Sequence, residues 1–273
     1  MPTDSKLPSQ IEDILSSVDG TIGLWAQELR DGETLAWNED EPFPAASIIK
    51  IPIMVEVFRQ AQAGLLSLDR SISLSPEDQV GGSGVLQLLS PGIALPVRDL
   101  VALMIDVSDN SATNLLVDLV GAEAVTATMH ALGLTGTYLY NKLMVVPVER
   151  PGNNATTPRD MGTLLVKLAR GEVISYDACR RMVEILKRQQ FNDILPARLP
   201  PAYGNEVGGL PRWVMAHKTG MIAGCRHDVG LVYTSGRTWV VSAFSKGLTD
   251  AERGVQALGD ISRLLYDHWA VSR

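Results

Sequence analysis

Ser47-Ile48-Ile49-Lys50 sets a hydroxyl and an amine three residues apart, a spacing that returns both to one face of a helix, within reach of each other. Serine is a weak nucleophile until a neighbouring base takes its proton. Lysine is such a base when apolar burial and a second cation lower its proton affinity. Two further motifs supply what that chemistry needs. In Ser108-Asp109-Asn110, Ser108 offers a hydroxyl to relay a proton to a leaving nitrogen, and Asn110 an amide to hydrogen-bond a substrate amide. In Lys218-Thr219-Gly220, Lys218 is the candidate second cation. Lys218 and Thr219 would hold a substrate carboxylate, while Gly220 lets an extended substrate approach the strand edge. The run from Ile48 to Phe58 reads as a buried helix beginning near Ser47, where unpaired N–H groups and the helix dipole favour a developing oxyanion. The backbone N–H groups of Ser47 and Met221 are the candidate oxyanion hole. Together these residues point to acyl transfer through a covalent intermediate on Ser47.

A Ser-x-x-Lys is weak alone: with 19 serines and 7 lysines in 273 residues it is expected about 0.5 times by chance. Ser-Asp-Asn and Lys-Thr-Gly are each expected roughly 0.03–0.04 times, so the ordered set is unlikely to be accidental. The plainer alternatives are Ser47 or Ser108 as helix caps and Lys218 as a solvated strand end. His130, His217, His227 and His268 form no metal-binding pair. His217 adjoins Lys218 and either lines the cleft or packs. Gly81 to Gly84 lacks the strand-turn-helix setting of a nucleophile elbow. Arg226 either adds positive charge beside the Lys-Thr-Gly strand or pairs with Asp228. Cys225 reads as a small core residue, and no cofactor or metal is expected.

The elements that must hold these motifs are legible as hydrophobic periodicity. Gln10 to Val18 has one apolar helical face, and Thr21–Leu29 and Thr34–Trp37 flank Asp31-Gly32, a hairpin signal. Helical spacing dominates from about Ala46 to Gln190, with segments at Val97–Asp106, Ala112–Val120, Arg159–Leu168 and Cys179–Arg188. Thr157 is placed to cap the third of these, with Pro158 in its first turn. Strands return at Trp213–Lys218, Asp228–Thr234 and Thr238–Ser245, the last two joined through Ser235-Gly236-Arg237. Ala251 to Trp269 closes the chain as an amphipathic helix. Strands at both ends joined by short connections imply an antiparallel sheet built from the two termini, in an α+β fold with a helical layer against it. The expected organisation is one unit, 1–273, with a sheet lobe at about 1–45 and 200–273 and a helical lobe at about 46–199.

Composition narrows the partners. The chain carries 24 basic against 31 acidic residues, a formal charge of −7, without a basic run, which argues against nucleic acid and against an anionic membrane. No apolar stretch reaches the roughly 18–20 residues that span a bilayer. The two cysteines, Cys179 and Cys225, make no disulfide framework. The N-terminus shows no secretory leader. The expectation is a cytoplasmic monomer acting on a small molecule, or a periplasmic or secreted one if a leader was removed.

From about Ile11 to Trp269 the chain resembles class A β-lactamases and the related penicillin-recognising serine hydrolases. The resemblance rests on the three motifs above together with Gly82-Ser83-Gly84-Val85-Leu86-Gln87 and Thr156-Thr157-Pro158. It implies an antiparallel sheet beside a helical lobe and a metal-free acyl-enzyme hydrolase of β-lactams. Ser47 would be the acylated residue, Lys50 its activating partner, Ser108 and Asn110 residues of the cleft, and Lys218 to Gly220 its strand wall. D-alanyl-D-alanine peptidases, small-ester hydrolases and β-lactam sensors that do not turn over share the apparatus. One departure stands out. The family's deacylating carboxylate sits in a Glu-x-x-Leu-Asn motif about 14 residues before the Thr-Thr pair. Here that stretch reads Tyr140-Asn141-Lys142-Leu143-Met144. The nearest candidate is Glu149, which either does this work in a shortened loop or forms a surface ion pair with Arg150.

Overall fold

The computed structural model describes residues 6–144, 152–204 and 207–270. The first half of the chain forms α1 (Leu7–Ser16), β1 (Thr21–Glu28), β2 (Thr34–Trp37), β3 (Phe43–Pro44), α2 (Lys50–Gln62), β4 (Ser71–Ser73), β5 (Ala94–Pro96), α3 (Val97–Asp106), α4 (Asn110–Val120) and α5 (Ala122–Ala131). The second half forms β6 (Ala155–Thr156), α6 (Pro158–Arg170), α7 (Tyr176–Leu186), β7 (Trp213–Ile222), β8 (Cys225–Thr234), β9 (Thr238–Lys246) and α8 (Ala251–Trp269).

Five of these strands make one antiparallel sheet in the order β2-β1-β9-β8-β7. The two ends of the chain meet at its centre, where Ala26 stands opposite Val241. Both faces are covered, and the period of two in β9 shows how. Trp239, Val241 and Ala243 pack with α1 and α8 on one face, while Val240 and Phe244 join the larger core formed with the helices α2 to α7 on the other. The class is α+β, as the alternation of patterns implied.

Local signals account for most boundaries. Thr157 caps α6 by accepting from Asp160 N at 3.1 Å, and Gly171 ends that helix at φ +76°, the left-handed geometry that glycine adopts without strain. Asp250 caps α8 through the N–H groups of Glu252 and Arg253. Several boundaries differ from the sequence reading by a few residues, and α5 is absent from it. α1 starts at Leu7, because Pro8 suits a first helical turn. β7 and β8 extend to Ile222 and from Cys225, which places Lys218 inside a strand instead of at its end. α5 buries only Val125 and Met129, too few apolar positions to announce a helix.

Candidate active site

Ser47 does not start α2. It lies within a tight 3-10 turn, Ala46–Ile49, that leads into the helix at Lys50, so a capping role for its side chain is excluded. Ala46 sits at φ +44° and Ser108 at φ +55°, left-handed conformations that cost a non-glycine residue on the order of 1 kcal/mol or more. These strained residues stand just before α2 and α4, and tight packing sustains them. Ala45 N donates to Asn154 O at 2.8 Å on one side, and Asp109 N to Leu103 O at 3.0 Å on the other. β7 closes over the turn at Gly220, where a Cβ would stand 3.0 Å from Ile48 Cγ1 and 3.3 Å from Ala46 Cβ. A Cβ there would require the turn or the strand to give by a few tenths of an ångström.

Asp109, a motif residue to which sequence reasoning assigned no task, is the anchor of this corner. It is the N-cap of α4, accepting from Ala112 N at 2.9 Å, while its other oxygen accepts from Val85 N at 2.6 Å and Leu86 N at 2.8 Å. One buried carboxylate thus starts the helix carrying Asn110 and pins the Gly81–Gly84 loop at the cleft. Ser108 stands just outside that cap and is not itself a cap.

The two lysines converge on Ser108. Lys50 Nζ donates to Ser108 O at 2.7 Å, Ser108 Oγ at 2.9 Å and Asn110 Oδ1 at 2.9 Å. Lys218 Nζ donates to Ser108 Oγ at 3.1 Å and Thr219 O at 2.8 Å. Both lysines are fully buried, so Lys218 is no solvated strand end. Burial, and then the charge of Lys218, hold the Lys50 amine well below its ordinary value against an opposing pull from Asp109. Burial likewise lowers Lys218 to about 7, with Asp228 acting the other way. With both lone pairs of Ser108 Oγ taken up by lysine donors, its own proton is free to point elsewhere.

Ser47 Oγ, by contrast, makes no hydrogen bond to any described residue, so the expected Lys50 partnership is one of proximity along the turn and not a formed bond. Asn110 is also more occupied than its motif suggested: beyond accepting from Lys50, it donates to Gly81 O at 3.0 Å. Thr219 is buried, and its hydroxyl has no partner among the described residues. Ser47, Asn110 and Met221 line a cleft of about 510 Å³ together with Asn141 to Met144, Gly152 to Asn154 and Ile222. No described residue on that lining is an Asp or Glu. Glu149 lies outside the described residues, as does Arg150.

Arg226 does not pair with Asp228; its guanidinium donates to Ile222 O at 3.0 Å and Cys225 O at 2.7 Å, folding back on its own hairpin. Asp228 instead binds His217 at 2.9 Å, which settles His217 as a packed residue. That pairing needs the β7–β8 register, which no sequence signal supplies. His227 is buried too: it bonds Pro44 O at 2.9 Å and accepts from Ser245 N at 3.2 Å, bracing the strand before Ser47. Among the described residues, no group of His, Cys, Asp or Glu is arranged to hold a metal, and no helix is long and apolar enough to cross a membrane.

Residues 6–269 match the model of a family described as the beta-lactamase enzyme family. A beta-lactamase from Sphaerobacter thermophilus is 34% identical over 99% of this chain and 100% of its own, with a TM-score of 0.89. PBP-A is 31% identical over 97% of this chain and 96% of its own, with a TM-score of 0.86. A point mutant of PBP-A, 30% identical and matching with a TM-score of 0.85 over 98% of this chain and 99% of its own, is an acyl-enzyme complex with penicillin G.

Proposed function

The chain belongs to the beta-lactamase enzyme family and is a hydrolase of the serine β-lactamase type, and from that premise we propose that it opens β-lactams through an acyl-enzyme on Ser47. The observation that carries this reading is the convergence of two buried lysines on Ser108 Oγ, at 2.9 and 3.1 Å, beside an unengaged Ser47 hydroxyl. A lysine whose ammonium is disfavoured by burial is a ready base. Lys50 takes the Ser47 proton as Ser47 Oγ bonds to the β-lactam carbonyl carbon. The carbonyl oxygen becomes an oxyanion facing the N–H groups of Ser47 and Met221. As the C–N bond breaks, the nitrogen receives the Ser108 proton, and Ser108 is reprotonated from Lys50. Lys218 and Thr219 hold the substrate carboxylate, and Asn110 the side-chain amide. Water then cleaves the ester, with Glu149 the candidate to activate it.

A second reading has its own support. The described cleft lining offers asparagines and no carboxylate, an environment that favours a long-lived acyl-enzyme and therefore a β-lactam sensor. A chromogenic cephalosporin separates the two. Product that grows far beyond one equivalent of protein supports the hydrolase, and a burst of one equivalent followed by a plateau supports the sensor. Glu149→Gln is expected to convert the first behaviour into the second. Cleavage of small esters with no reaction on the cephalosporin would overturn both.

A further inference from the structure

His227 is a buried ring that the proposed reaction does not use, and it stands on the cleft side of the sheet. Along β8, Val229 and Leu231 face the helices α2 to α7, and the period of two puts His227 with them. Its ring packs against Phe43 and Phe244 of that same core, at centroid separations of 6.3 and 4.7 Å. His227 Nε2 lies 2.9 Å from Pro44 O. A carbonyl oxygen only accepts, so that nitrogen carries a proton. Nδ1 accepts from Ser245 N at 3.2 Å and has no proton of its own. Burial lowers the pKa of the ring to about 4, which keeps it neutral. Both ring nitrogens are therefore committed.

The bond to Pro44 closes a circuit around the candidate oxyanion hole. Pro44 ends β3 three residues before Ser47, and Ala46, strained at φ +44°, lies between them. From that turn the contacts pass to Gly220, where a Cβ would stand 3.0 Å from Ile48, 3.3 Å from Ala46 and 3.3 Å from the His227 ring. Gly220 faces His227 in the β7–β8 register, and Met221 follows it on β7. His227 then returns to Pro44. The N–H groups of Ser47 and Met221 thus belong to two separate elements, which His227 ties together from β8. On its other side the segment is held by Ala45 N, which donates to Asn154 O at 2.8 Å. β3 itself keeps further anchors, since Lys246 Nζ donates to Pro42 O at 2.8 Å and Phe43 pairs with Thr156. An oxyanion hole works when both donors meet the oxygen at about 2.7–3.1 Å, so the spacing of the two elements decides its strength. We propose that His227 is a positioning residue for the oxyanion hole: by holding the Pro44 carbonyl it sets where the Ser47 N–H stands relative to the Met221 N–H. This rests on the reading that Ser47 is acylated.

Two amide side chains separate the tasks of the two ring nitrogens. In His227→Gln the longer amide brings its nitrogen near the place of Nε2, where it can donate to Pro44 O. In His227→Asn the shorter amide keeps an acceptor for Ser245 N and falls short of Pro44. A purely structural role would lower thermal stability in both variants and leave acylation of the folded protein unchanged. With saturating benzylpenicillin, the acylation rate of the full-length protein should instead fall about 10²-fold in His227→Asn while the binding constant holds. His227→Gln should recover most of that rate. Rapid-mixing infrared spectra of the acyl-enzyme, with carbon-13 at the former β-lactam carbonyl, report the hole itself. Donors that meet the ester oxygen lower its stretching frequency, so the band should move up in His227→Asn and return toward the wild-type position in His227→Gln. His227→Met fills the space between Phe43 and Phe244 without a donor; it should match His227→Asn and replaces it if that variant does not fold. Equal rates and a single band position in all proteins overturn the proposal, as does a His227→Gln as slow as His227→Asn. If benzylpenicillin does not acylate the wild type at all, the proposed function fails and this positioning role fails with it.

Discussion

Lys50 and Glu56 lie along the same buried stretch of α2, and neither side chain reaches solvent. Their surroundings are opposites. Glu56 accepts two bonds from Arg59, one from Gln60 and one from Thr128, each at 2.7 Å. Burial alone would raise its carboxyl, but these donors and the Arg59 charge hold it below the ordinary value. Lys50 has three oxygen acceptors, none charged, and a second cation at the same hydroxyl. A buried charge neutralised on the spot ties elements together, here α2 to α5. One left short of a counter-charge stores a readiness to change protonation state. The same helix carries a structural ion pair in its middle and a reactive amine at its start.

Substitutions at the two positions should therefore fail in different ways. Lys50→Met is expected to slow acylation by about 10²–10⁴-fold. Its stability should change little, because relief of a buried polar amine offsets its lost hydrogen bonds. Stopped-flow acylation and a melting curve measure both. Glu56→Gln should do the reverse, costing about 1–3 kcal/mol of stability as donors lose their acceptor while the acylation rate of the folded enzyme stays near wild type. A loss of rate matching that of Lys50→Met would erase the contrast.

The smallest effect is in the pH dependence of stability. Lys218 titrates near 7 in the fold and at the ordinary 10.5 when unfolded. Between those values the unfolded chain binds the extra proton, so stability from this group rises with pH across the window and is flat below it. Melting temperatures of wild type and Lys218→Met should converge as pH climbs from 7 toward 10, the variant being the more stable at 7. A constant difference would mean that Lys218 bears no burial penalty.

Much of this was legible from sequence, for identifiable reasons. Thr157, Asp250 and the β9 alternation act within a few residues, so caps, α8 and the sheet strands could be read locally. The three motifs pointed to Ser47, Lys50, Ser108 and Lys218, and the fold brings Lys50, Ser108 and Lys218 into contact beside Ser47. What escaped depends on distant partners. The positive φ of Ala46 and Ser108 arises from strand and helix packing that no local preference announces. Asp109 carried an N-cap signal that went unread because its neighbours drew the chemistry. The His217–Asp228 pair follows from strand register, which also excludes one of the two roles open to Arg226, pairing with Asp228.

The central claim is that Ser47 becomes acylated, and intact-mass spectrometry after brief exposure to benzylpenicillin tests it most directly. A single penicilloyl adduct on the peptide containing Ser47, absent in Ser47→Ala, is the predicted result. An adduct elsewhere, or β-lactam turnover that survives Ser47→Ala, would contradict it.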